Sequence, residues 1–186
     1  MVSIASLWMP IVLSAVLVFV VSSLMHMVLK FHSKDYKRLP NEAETLAALR
    51  KSSLAPGIYH FPHCADMKDM GKPEMKAKLE QGPVGLLTVF PSGPPAMGKF
   101  LAIWFGYSLL VSFFIAYISG RTLDAGTDYL AVFRLAGTIA FMTYGLSEIV
   151  QSVWRGAPWS NTFRGIFDGL LYALVTAGAF GWLWPR

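Results

Sequence analysis

Between His60 and Met70 the chain reads HFPHCADMKDM, which places two imidazoles, a thiol, two carboxylates and two thioethers within eleven residues. Imidazole nitrogen and thiolate sulfur are good ligands for zinc or copper, and thioethers suit cuprous ion. His60, His63, Cys64 and Asp66 are therefore candidate ligands, and a transition metal, zinc or copper, is the candidate cofactor. No second Cys or His pair completes a closed tetrahedral site, so a mononuclear centre there needs another acid, His32 or a second subunit. The competing reading is a loop with two structural histidines and a buried thiol. Haem attachment is excluded, because it requires two cysteines and Cys64 is the only one. A single cysteine also forbids an intrachain disulfide.

A second group is notable for its surroundings. Glu148 and Asp168 both lie in apolar stretches long enough to cross a bilayer, and so do His26 and Arg134. Ionisable groups at membrane depth are expensive and need partners. If the last two stretches form an antiparallel hairpin, Glu148, Asp168 and His26 reach a similar depth about one turn from the same boundary. Two carboxylates and an imidazole facing a cavity can bind a cation, relay protons or serve as acid and base. The alternative is that Arg164, four residues before Asp168, and Arg155 simply pair with both acids. Arg134 lies towards the other face, where it can pair with Asp124 or Asp128, snorkel, or hold an anionic substrate or lipid phosphate.

These residues are carried by four apolar runs, at 7–29, 100–119, 129–151 and 166–184. Each has spanning length, and a hydrophobic content of 54% over 186 residues is too high for an ordinary soluble domain. Continuous runs indicate helices rather than strands of a membrane barrel. The expected fold is an all-α membrane protein with four transmembrane helices and a small cytoplasmic α+β insertion between the first two. Its parts are residues 1–29, a first spanning helix; 30–96, the polar insertion with two short helices and two short strands; and 97–186, a three-helix membrane region.

Within 129–151, heptad spacing puts Arg134, Thr138, Phe141, Gly145, Glu148 and Ser152 on one seam, expected to face protein or a wet cavity. Small residues four apart, at 165, 169, 173, 177 and 181, and in two rows between 98 and 120, are expected to let helix backbones approach closely. In the insertion, Asn41 is the expected N-cap of a helix with acids first and bases last. Pro73 opens a second helix and Gly82 stops it. GIYHF and VGLLTVF are expected to pair as two strands that the membrane surface or another chain covers. Ser160 or Asn161 is the expected N-cap of the last helix.

The formal charge of +5 does not form a nucleic-acid footprint, because the bases between 30 and 99 are diluted by acids and lack interleaved exposed aromatics. Lipid head groups are their natural partner. Lys30, Lys34, Lys37 and Arg38 follow the first span and no base precedes it, so the insertion is expected in the cytoplasm and both termini outside, in a bacterial cytoplasmic (inner) membrane. G-x-S-x-G, H-E-x-x-H, P-loop and dinucleotide motifs are absent. The leading functional expectation is a non-enzymatic accessory or scaffold protein that joins a homo-oligomer or membrane complex through small-residue helix faces. Metal or small-ion binding and transport is the alternative, and a membrane enzyme acting on a lipid-like substrate is third.

Overall fold

The computed structural model describes residues 1–29 and 31–186. Lys30, one of the bases expected to flank the first span, lies outside the described residues. Among the described residues, four helices are long and apolar enough to cross a membrane: Ile4–Val28, Met97–Thr122, Tyr129–Arg155 and Trp159–Trp182. The chain is thus an all-α membrane protein with four transmembrane helices, and a small α+β insertion separates the first from the second. Two compact units result, one from Met1–Tyr36 with Ala96–Arg186, the other Lys37–Pro95.

The insertion contains α2 (Glu42–Lys51), β1 (Gly57–Phe61), α3 (Pro73–Gln81) and β2 (Gly85–Val89). The strands pair antiparallel with Gly57 opposite Val89 and Phe61 opposite Gly85. Pro73 opens α3 and Gly82 follows it at φ 61°. Asn41 holds the N-cap position of α2 but makes no side-chain cap bond, because it adopts the left-handed conformation (φ 49°). Side-chain capping needs extended backbone at that residue. No residue between 37 and 95 is buried, so this unit has no core of its own.

The membrane unit is built from α1 (Trp8–Ser23, continued by a π turn over Leu24–Val28), α4 (Met97–Thr122), α5 (Tyr129–Tyr144), α6 (Ile149–Arg155) and α7 (Trp159–Trp182). The small-residue stripe of α7 has its partner inside the chain. A Cβ added at Gly169 would lie 2.3 Å from the Gly145 Cα, one at Gly137 would lie 3.0 Å from the Ala177 Cβ, and one at Gly181 would lie 2.7 Å from the Tyr129 ring. Without a hydrophobic drive between helices in lipid, such backbone contact is what holds α5 on α7.

The second row of α4, at Ser108, Ser112, Ala116 and Gly120, is likewise buried. Ser14 of α1 bonds Ser112 at 2.9 Å and also the Pro10 carbonyl at 2.6 Å. Ser112→Ala should therefore lower stability by only about 0.6 kcal/mol, the usual scale of one interhelical hydroxyl bond in a membrane, because Ser14 keeps its second acceptor. Unfolding in mixed micelles measures it. By contrast Gly98, Ala102 and Gly106 are exposed, and a Cβ at either glycine meets nothing within 4 Å.

The expected polar seam on the third span holds in its second half, where Gly145 packs against Gly169, Glu148 lines a cavity and Ser152 bonds Thr162 at 2.6 Å, and needs correction in its first. Arg134 and Thr138 are exposed, and the buried positions of α5 are Val132, Ala136, Ala140 and Tyr144. Burial follows the four-residue spacing that meets the α7 stripe, not polarity. Arg134 lies about 8 Å along the axis from Tyr129, near enough for its head to reach the boundary. The helix is also interrupted: Gly145 ends α5, and a 3-10 turn over Leu146–Glu148 intervenes before α6. The last helix begins at Trp159 with Pro158 as its N-cap, so Ser160 and Asn161 lie inside its first turn.

The chain segments at one end are joined through Val2 to Gly120 (2.8 Å), Gly126 to Pro185 (2.9 Å) and the Trp184 indole to the Asp124 carbonyl (3.0 Å). Tyr36 and Ala96, where the insertion leaves and rejoins, belong to the opposite end.

Candidate metal centre

His26 sits in the π turn that ends the first span. The wider turn is closed by the Leu29 N–H donating to the Leu24 carbonyl at 3.0 Å, and such turns inside α-helices occur frequently at functional sites. His26 Nδ1 lies 3.1 Å from the Ser22 carbonyl oxygen. A carbonyl only accepts, so Nδ1 carries the proton and Nε2 presents its lone pair. Ser22 is itself held, because its hydroxyl oxygen accepts from the Trp104 indole at 2.9 Å.

His32 follows in a short turn that α7 holds in place. Arg164 pairs with the Asp35 carboxylate, Asn161 Nδ2 donates to the Asp35 carbonyl at 3.0 Å, and the Phe31 ring packs on Phe167 at 5.7 Å between centroids. Within this turn His32 Nδ1 meets Asp35 Oδ2 at 2.5 Å. Its other nitrogen, Nε2, is hydrogen-bonded to Asp168 Oδ2 at 2.7 Å, so an ion bound here has to displace the proton they share. His26 Nε2 lies 3.7 Å from the same oxygen, and the two imidazoles stack at 4.2 Å.

Two imidazole nitrogens and a carboxylate thus fall within 4.8 Å of one another. A tetrahedral ion with bonds of about 2.0–2.1 Å holds its ligand atoms about 3.3 Å apart. The observed 3.7 Å is near that spacing, and the 2.7 Å hydrogen bond has to open to reach it. The rings are nearly parallel, 13° apart, so closure on one ion requires the half-exposed His26 ring to tilt. The outer partners are also those of a metal site: each histidine commits its second nitrogen, one to a backbone carbonyl and one to a carboxylate. Finally, the Asp168 side chain is 5% exposed and its Oδ1 is buried without a hydrogen-bond partner. A buried carboxylate oxygen normally has one, and a bound cation is one group able to supply it.

Asp35→Asn should weaken metal binding by about 10–100-fold while His26, His32 and Asp168 remain, the usual effect of losing an outer carboxylate partner. Titration with zinc monitored by calorimetry gives the number.

The centre opens onto a cavity of about 920 Å³. Trp104, Tyr107, Tyr144 and Tyr172 form one aromatic wall, with neighbouring centroids 5.6–6.3 Å apart. Glu148 lines the same cavity and packs on Gly165, one turn before Gly169. Among the described residues Glu148 has no ion pair or hydrogen bond through its side chain, and neither Arg155 nor Arg164 pairs with Glu148 or Asp168. Arg164 turns instead to Asp35.

Of the intramembrane residues singled out from the sequence, His26 and Asp168 meet, Glu148 shares their cavity, and Arg134 lies outside it. His32 entered that reading only as a possible extra ligand for the insertion cluster, and Asp35 did not enter it. Their signal was the His-x-x-Asp spacing just past a span. The polar cluster of the insertion is arranged differently. His60 Nδ1 faces the Pro62 carbonyl, the Cys64 thiol donates to the Asp66 carbonyl at 2.9 Å, and the Asp66 carboxylate caps the turn at Lys68. Among the described residues, His60, His63, Cys64 and Asp66 form no convergent group of three ligand atoms.

Fold and site together define a four-helix membrane protein with a His-His-Asp cluster at one end of its bundle. The chain matches no protein-family model, no curated protein and no solved structure.

Proposed function

We propose that this protein is a divalent-metal protein of the membrane, holding one first-row transition ion through His26 Nε2, His32 Nε2 and Asp168. The observation that carries the reading is the convergence of two imidazole nitrogens, whose outer partners are already in place, on the buried Asp168 carboxylate, with Oδ2 facing both rings and Oδ1 left without a hydrogen-bond partner. Three protein ligands with a side open to a cavity match reactive rather than purely structural centres. Two histidines and one carboxylate suit zinc or ferrous iron better than copper(I), which prefers sulfur. Metal analysis of protein purified into lipid nanodiscs tests it: one ion per chain is expected in wild type, and none above background in a His26→Ala, His32→Ala double variant. Equal metal in both would refute the site.

Sidedness belongs to the same reading. The Tyr36 and Ala96 end of the membrane unit carries Lys34, Arg155 and Arg164, a charge bias that supports a cytoplasmic face there, in a bacterial inner membrane with both termini outside. The metal then faces the cytoplasmic leaflet.

Assembly into a homo-oligomer or larger complex is a second reading, favoured by the exposed Gly98, Ala102 and Gly106 row and by the insertion's lack of buried residues. A bulky Gly106→Leu change should then abolish crosslinked dimers in native membranes. Dimers that persist would exclude this face.

A further inference from the structure

The cavity beside the cluster has a mouth as well as a floor. α4 lines it with Met97, Leu101, Trp104 and Tyr107 on successive turns, and the third span faces them with Thr143, Tyr144 and Glu148. Nearer the other end α5 packs on α7 through Gly137 and Ala177. Met97 and Tyr107 line the cavity yet keep 57% and 38% of their surface exposed, and both belong to a membrane-spanning helix. The α4 wall of the cavity is therefore open to the surface from the first residue of that helix to Tyr107, about 15 Å further along its axis and within the span. The volume suits a small-molecule site, which typically holds about 300–1,000 Å³.

Charge and hydrogen bonding select the occupant. A divalent ion with neutral imidazoles, the Asp168 carboxylate and the Glu148 carboxylate sums to a formal charge of zero, while Asp35 and Arg164 cancel each other. An anionic head would add an uncompensated charge in a low-dielectric site. The Tyr144 hydroxyl is buried in the aromatic wall, with the Ser108 hydroxyl as a neighbour but no formed hydrogen bond, so it can donate to an acceptor oxygen.

We infer that the cavity receives a neutral, membrane-dissolved lipid whose carbonyl or hydroxyl oxygen reaches the metal and Tyr144, with its apolar chain leaving between α4 and α5. This rests on the metal reading above. Native mass spectrometry from phosphatidylcholine nanodiscs tests it, with monooleoylglycerol as the neutral probe and oleate as the anionic one. Zinc-loaded protein should retain one monooleoylglycerol at concentrations at least about tenfold below those needed by metal-free protein. Tyr144→Phe, which keeps the ring, should weaken retention several-fold. Leu101→Trp, which fills the cavity away from the ligands, should abolish retention and still bind zinc. Zinc binding with monooleoylglycerol retained equally in metal-free and Leu101→Trp protein would overturn the lipid site and leave the metal centre standing, as would preference for oleate. Failure to bind zinc at all would remove both.

Discussion

Asp168→Asn should yield folded protein that no longer binds zinc. Asparagine keeps the shape of the side chain but replaces the oxygen that both imidazoles approach, and it removes the negative charge that offsets a divalent ion. The effect should exceed the roughly 10–100-fold that loss of an outer partner causes. It has a second readout in stability. An ion bound only by the folded state raises unfolding free energy by about 2.7 kcal/mol at a free concentration one hundred times its Kd. That zinc-dependent increment, measured by thermal unfolding in nanodiscs, should be present in wild type and absent in Asp168→Asn. An unchanged increment in the variant would mean that zinc binds elsewhere.

The other large effect concerns packing. In a solvent-facing helix, Gly→Ala is expected to stabilise by about 0.8–1.0 kcal/mol, because alanine restricts the unfolded chain. At Gly169 the sign should reverse. The added methyl would lie 2.3 Å from the Gly145 Cα and 2.4 Å from its nitrogen, and neither can move without displacing a helix. Overpacking against backbone places the loss at about 3 kcal/mol or more. Because Gly169 follows Asp168 directly, the separation of α5 from α7 should also loosen the metal site. Gly106→Ala is the matched control: it meets nothing within 4 Å and should be neutral or slightly stabilising. Unfolding curves of the three proteins under one set of conditions decide the point.

The membrane architecture could be read from the sequence because it rests on hydrocarbon length, the strongest constraint a bilayer imposes. The four spans, the two short strands and the Pro73 helix start all arise from local chemistry. What local chemistry could not supply was rotation. The stripe at 165, 169, 173, 177 and 181 announced close packing, yet its partner on α5 follows from three-dimensional fit, and that fit turned Arg134 and Thr138 outward. Likewise Arg164 sits four residues before Asp168, a spacing that suggests a pair on one helix. The turn after the first span intervenes and takes the guanidinium for Asp35. The site joins residues separated by 136 positions, His32 and Asp168, and the linking turn has no periodicity to betray it. His26 and Asp168 stood out because charge at membrane depth is rare. His32 did not, because it lies past the end of the span, where a histidine is unremarkable.

X-ray absorption at the zinc edge, on protein loaded with one equivalent of zinc in lipid, tests the metal centre most directly. The account predicts a shell of nitrogen and oxygen at about 2.0–2.1 Å with the outer scattering of two imidazoles, lost in Asp168→Asn and unaffected by Cys64→Ala. A sulfur ligand at about 2.3 Å that disappears in Cys64→Ala would contradict it and move the metal to the insertion.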